Sequence, residues 1–134
     1  MKKMLTTVSV VLLVLLSMQN GFAQSSENHA RFKKQSLQNL EMGITSQNDG
    51  VRKSSIYLAG KYRIAELVPV LYRQLLQEKD TFNKRLILLS IYQVGDYSAI
   101  NKACCEGLKD TTHSVRHLSA AMLLEIQNTN LASE

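Results

Sequence analysis

The 134-residue chain has two cysteines, and they are adjacent, Cys104 and Cys105. Neighbouring Cα atoms across a trans peptide lie about 3.8 Å apart, inside the usual lower limit of about 4.4 Å for a disulfide. No internal bridge is expected, so packing alone must hold the fold. The sequence also lacks a cluster of one charge sign. Basic and acidic residues are interspersed from Arg31 to Glu125, which does not suit nucleic acid. No Gly-x-Ser-x-Gly surrounds any serine, and the His113-Ser114-Val115-Arg116-His117 stretch lacks the glutamate of a zinc-protease helix. No catalytic residue, cofactor site or metal site is therefore expected.

The one long apolar run, Val8 to Leu16, is too short for a membrane span of roughly 20 residues. It follows Met1-Lys2-Lys3 and precedes Gly21-Phe22-Ala23, the pattern of a cleavable signal peptide over residues 1–23. No cysteine stands at the cleavage point, so a lipid anchor is not expected. The reading is a periplasmic or secreted protein with no stable membrane span after cleavage. Lys2 and Lys3 leave with the leader, taking the 16 basic residues to 14 against 11 acidic ones, a mild excess. Residues 24–30 read as a disordered lead-in, 31–128 as one domain and 129–134 as a tail.

Within that domain a phrase occurs twice. Ser55-Ile56-Tyr57-x-x-Gly60-x-Tyr62 returns as Ser90-Ile91-Tyr92-x-x-Gly95-x-Tyr97, an offset of 35 residues. A period of roughly 20 to 50 residues marks a solenoid, whose units are each too small to bury their own apolar face. Helical stripes support this: Leu37, Leu40 and Ile44; Val51, Ser55, Leu58, Ala59 and Tyr62, capped by Asn48 or Asp49 and closed near Gly60; Ile64, Leu67, Val68, Leu71 and Leu75, with Pro69 in the first turn; Ile100, Ala103, Cys104 and Leu108; and Val115, Leu118, Ser119, Met122 and Ile126. Leu86 to Val94 is apolar nearly all round and reads as a central helix covered on both sides. Gly60 and Gly95 are expected to share one role, ending the first helix of each unit.

Val51-Arg52-Lys53-Ser54-Ser55-Ile56-Tyr57-Leu58-Ala59-Gly60 resembles the first helix of a HEAT or HEAT-like (PBS-lyase-type) repeat. Val68-Pro69-Val70-Leu71 with Leu75 and Asp80 resembles the second helix and its closing aspartate. Gly95-Asp96, Leu108-Lys109-Asp110 and Val115-Arg116 continue the pattern, with departures at Arg85, which precedes Leu86, and at Leu124, where a glycine belongs. The resemblance covers roughly residues 36 to 127. It implies an all-α, short right-handed solenoid of helix pairs with an Asp-to-Arg ladder between units, serving as a binding scaffold.

Repeated residues carry the packing expectations. Ser55, Ser90 and Ser119 are expected to let helices approach, each hydroxyl bonded within its own helix. Tyr57, Tyr62, Tyr92 and Tyr97 are expected to fill the seams between units. His113 and His117 read as surface residues near a helix start, Cys104 as a small core residue and Cys105 as exposed.

The functional expectation is a non-enzymatic scaffold with a protein partner. The alternative is an accessory subunit or weak enzyme that binds a small molecule in a tyrosine-lined seam. The 100° step per residue turns Glu66, Val70, Arg73 and Gln77 away from the stripe of the third helix, and Lys102, Cys105, Glu106 and Lys109 away from that of the fifth. By the resemblance, these second helices line a concave surface. Glu66, Arg73, Gln77, Lys102, Glu106 and Lys109 are therefore the candidate partner-binding residues.

Overall fold

Asparagine or aspartate stands just before three of the helical stripes, and its carboxamide or carboxylate starts the helix, Asp96 Oδ1 accepting from the Ala99 amide at 3.1 Å before Ile100. Asn48 Oδ1 accepts from the Val51 amide at 3.2 Å, and Asp80 Oδ1 from the Asn83 amide at 2.8 Å. The computed structural model describes residues 33–131, so the expected signal peptide and lead-in lie outside the described residues. From Leu37 to Leu131 the chain belongs to one compact unit. The described residues are helical with no strand: α1 over residues 33–44, α2 Asp49–Lys61, a 3-10 turn Ala65–Leu67, α3 Val68–Gln77, α4 Thr81–Val94, α5 Tyr97–Gly107 and α6 His113–Leu131. The last helix thus runs three residues past the expected boundary at 128.

Helices α2, α4 and α6 open at Asp49, Thr81 and His113, 32 residues apart each time. At each opening a carbonyl accepts the amide four residues on: Asn48 from Arg52, Asp80 from Lys84 and Thr112 from Arg116. The structural period is therefore 32, and the 35-residue offset of the Ser-Ile-Tyr phrase is a correction to make. A slip of three residues turns a helix by about 300°, nearly a full turn, so a phrase repeated out of phase still falls near the same side.

An ion-pair ladder follows the 32-residue phase. Arg52 Nε meets Glu78 Oε2 at 2.9 Å, and Lys84 Nζ meets Asp110 Oδ2 at 2.5 Å, each pair spanning 26 residues. Arg52 also donates to the Ser46 carbonyl at 2.7 Å, and Arg116 makes the matching bond to the Asp110 carbonyl at 2.9 Å. Lys84, not Arg85, is the middle basic rung. Burial would raise the carboxyl of Glu78, but the Asp80 amide, Gln74, the Lys79 amide and Arg52 outweigh it and hold the group below its usual range. For Asp110, burial is likewise overcome by Lys84 and Thr112.

The centre of the core is α4, which packs against α2, α3, α5 and α6 and buries Ile87, Leu88 and Ile91. Pro69 sits in the first turn of α3 as expected. The two glycines differ. Gly95 ends α4 in the left-handed region at φ 88° with open space around it, whereas Gly60 lies inside α2, where a Cβ would stand 2.7 Å from the Cα of Ser90. The left-handed residue after α2 is Arg63, at φ 51°.

The serines also divide. Ser55 packs against Gly43 of α1 and Ser119 against Gly107 of α5, two equivalent pairs, while Ser90 packs against Gly60 of α2. Ser119 bonds within its own helix, to the Val115 carbonyl at 2.9 Å. Ser90 instead donates across the seam to the Ile56 carbonyl at 2.9 Å.

Asn83 is fully buried. Its Nδ2 donates to Asp49 at 2.9 Å, yet its Oδ1 has no partner among the described residues. One period either side, the chain has Val51 and Val115. Asp49 keeps Arg52 and Lys53 in any case. Replacing Asn83 with valine is therefore expected to raise stability by about 1 kcal/mol, because an orphaned buried carbonyl costs more than the single bond contributes. A urea midpoint below that of the parent chain would refute this.

Candidate interaction surface

The α3 sequence turns its apolar stripe inward and leaves a polar strip outward. Arg73 and Gln77 are exposed on that strip, with Lys102 on α5, which packs beside α3, and Lys109 in the turn just after α5. Arg73 reaches Glu41 of α1 at 3.5 Å, so the row extends one helix further than the sequence reading placed it. Across the α3–α5 seam, the Lys102 ammonium lies 4.4 Å from the centre of the Tyr72 ring, a cation–π contact. Glu106 is half-buried and pairs with Lys109 at 3.0 Å. Glu66 is exposed in the 3-10 turn, before α3 begins.

Two polar grooves run beside this row. A groove of about 450 Å³ has Gln77, Glu78 and Arg52 in its wall; one of about 210 Å³ has Leu76, Glu106 and Lys109. Gln77 Nε2 is turned to Gln74 Oε1 at 2.8 Å, which fixes it at the groove edge.

Three inward–outward assignments outside the tyrosines are corrected, the first being Val51, which was placed on the apolar stripe of α2 but is 47% exposed at its opening turn. Val70 is buried, not outward, because the entry into α3 through the 3-10 turn rotates the helix onto it. Leu108 is 41% exposed, not core, because α5 ends at Gly107 and the chain turns away. Leu76, one period earlier, is 58% exposed. These two leucines, with Met42 on α1 and Phe82 and Leu89 on α4, are exposed apolar residues that the apolar stripes did not place on the surface. The 32-residue spacing of Leu76 and Leu108 was the available signal.

The tyrosines do not fill seams. Tyr57, Tyr62 and Tyr97 are exposed, and only Tyr92 is partly covered. The Lys61 ammonium stands 5.7 Å from the ring centres of both Tyr57 and Tyr62. Beside Tyr92 and Tyr97 an open groove of about 380 Å³ has Arg63, Gln93 and Thr129 as its polar side chains and Ile100 and Ile126 as apolar ones.

His113 and His117 are exposed on α6 with their rings stacked, 6.0 Å between centroids. Among the described residues, no group of three His, Cys, Asp or Glu side chains is placed to hold a metal. Cys104 is buried with its sulfur 3.8 Å from that of Met122, and burial together with neighbouring Cys105 pushes its thiol up to about 11, while Cys105 is exposed. No helix among the described residues is long and apolar enough to cross a membrane. No family model, curated protein or solved structure matches the chain.

Proposed function

We propose that the chain is a short solenoid of HEAT-like repeats that acts, without catalysis, as a protein-binding scaffold exported to the cell envelope or beyond. The supporting observation is the α3–α5 face. There Leu76 and Leu108, exposed one period apart, are bordered by Arg73, Gln77, Glu106 and Lys109. An apolar centre with a polar rim of both charge signs suits a protein surface. The mixture of signs disfavours a nucleic acid or any purely anionic partner. The repeat reading is supported by three helices opening at equal intervals and by the matched acid–base rungs Arg52–Glu78 and Lys84–Asp110.

The test reverses Arg73 and Lys102 to glutamate together and recovers partners from the envelope fraction, where the mature chain is expected to begin at Gln24. Both side chains are exposed, so the melting temperature should hold while partner recovery falls about tenfold or more. Full recovery with the double variant would remove this face from consideration.

A further inference from the structure

Arg63 stands at a position that ordinarily belongs to glycine. The Ile64 amide donates to the Ala59 carbonyl and the Arg63 amide to the Gly60 carbonyl, each at 3.0 Å, so α2 ends in the paired reverse bonds of a Schellman closure. That closure needs one residue in the left-handed region, and here it is Arg63, at φ 51°. One 32-residue period on, α4 ends at the equivalent position with Gly95, at φ 88°. Glycine adopts this backbone freely, whereas in any other residue the Cβ crowds the following carbonyl oxygen. The end of α2 is therefore strained, relative to the end of α4, in order to keep a side chain.

The fold makes no use of that side chain. The Arg63 guanidinium is exposed and has no hydrogen bond or ion pair among the described residues, and Lys61 already supplies the basic residue in the last turn of α2. A strained residue whose side chain holds nothing in place points to a use outside the fold. Arg63 lies in the wall of the groove of about 380 Å³ where α4 passes into α5 beside the last turns of α6. Gly95 lines the same groove, so the two equivalent positions face one space, one with a side chain and one without. Ile100, 3% exposed, gives the groove an apolar floor together with the half-buried Tyr92 and Ile126. No acidic side chain among the described residues lines it. The two grooves beside the α3–α5 row differ in this respect, because Arg52, Lys84 and Lys109 in their walls are held by Glu78, Asp110 and Glu106.

We propose that this groove binds a small aromatic monocarboxylate, with the carboxylate on the Arg63 guanidinium and the ring against Tyr92, Ile100 and Ile126. The planar fork of an arginine matches a carboxylate through two parallel N–H···O bonds. The apolar floor favours a flat apolar body over a bare ion, and a single cation in the wall suits one negative charge better than the two of a phosphate. The site shares no residue with the α3–α5 face, so it stands or falls separately from the scaffold reading.

Phenylacetate is the probe, followed through the amide shifts of the isotope-labelled full-length chain. Saturable shifts at Arg63, Gln93 and Tyr97 are expected, with a dissociation constant of about 1 mM, and none with benzylamine, which has the same ring and the opposite charge. Arg63→Gly separates a binding role from a structural one. It should raise the urea midpoint, because glycine relieves the left-handed strain, and weaken phenylacetate roughly tenfold or more. Arg63→Lys should keep part of the affinity, and Lys61→Gln, which removes a cation outside the groove wall, should keep all of it. No saturable shift at about ten times the expected constant overturns the proposal. So does an Arg63→Gly chain that binds as the parent does or unfolds at a lower urea concentration. Inorganic phosphate or benzylamine binding as tightly as phenylacetate would overturn the ligand class.

Discussion

Valine at position 60 is expected to cost about 4 kcal/mol of folding stability. The first atom added to Gly60 would stand 2.7 Å from the Cα of Ser90 and 2.8 Å from its hydroxyl. The hydroxyl can rotate, but the Cα belongs to the backbone of the helix at the centre of the core. Helices α2 and α4 would have to separate, and the Ser90 bond to the Ile56 carbonyl would lengthen with them. Valine at Gly95 meets no neighbouring atom and costs only the left-handed backbone penalty, about 1 to 2 kcal/mol. Urea unfolding of the two variants side by side distinguishes these causes. Equal losses would mean that the close seam at Gly60 is absent in solution.

The second large effect concerns the Arg52–Glu78 rung. The two side chains are 15% and 5% exposed, so this pair is largely withdrawn from water. Arg52→Met leaves the Glu78 carboxylate buried beside an apolar side chain, and a loss of about 3 kcal/mol is expected. Removing both charges, as Arg52→Met with Glu78→Leu, should cost much less, because no uncompensated charge remains. The wild-type pair also has a signature in acid. Glu78 and Asp110 are held below their usual values of 4.5 and 3.8, so their contribution is complete above those values. It is lost as pH falls through the lowered folded values, when both states become protonated. Midpoints measured from pH 7 down to pH 3 should therefore fall in that acid window, and more shallowly in the double variant. A wild-type midpoint unchanged down to pH 3 would contradict the ladder.

The helices were legible because apolar stripes and capping side chains are local signals, and Leu86 to Val94 does form the central helix, although Leu89 on it is 39% exposed. The phase of the repeat was harder. Ser-Ile-Tyr drew attention to an offset of 35, and a three-residue slip leaves the apolar stripes almost where they were. The 32-residue spacing was carried by quieter positions, Asn48, Asp80 and Thr112 at the helix starts and Arg52, Lys84 and Arg116 four residues later. Side-chain direction near helix ends was not legible, since Leu108 and Val70 were decided by where the chain enters and leaves a helix. The tyrosines misled for a related reason: recurrence identifies a repeated position without saying whether it faces a seam or solvent.

The seam made by Gly60 and Ser90 has no copy among the described residues. One period on, the same two positions are Tyr92 and Met122, bulky side chains where the first seam has almost none. In a protein assembled from look-alike helices, the hazard during folding is docking one unit out of place, which would satisfy most of the apolar stripe and trap the chain. Here such a mistake brings α6 with Met122 against Gly60, where the larger side chain holds the two helices apart and leaves the backbone contact unmade. Unequal seams thus act as a lock and key within one chain, so that each seam accepts only its own pair of helices even though the units share caps, spacing and ion pairs.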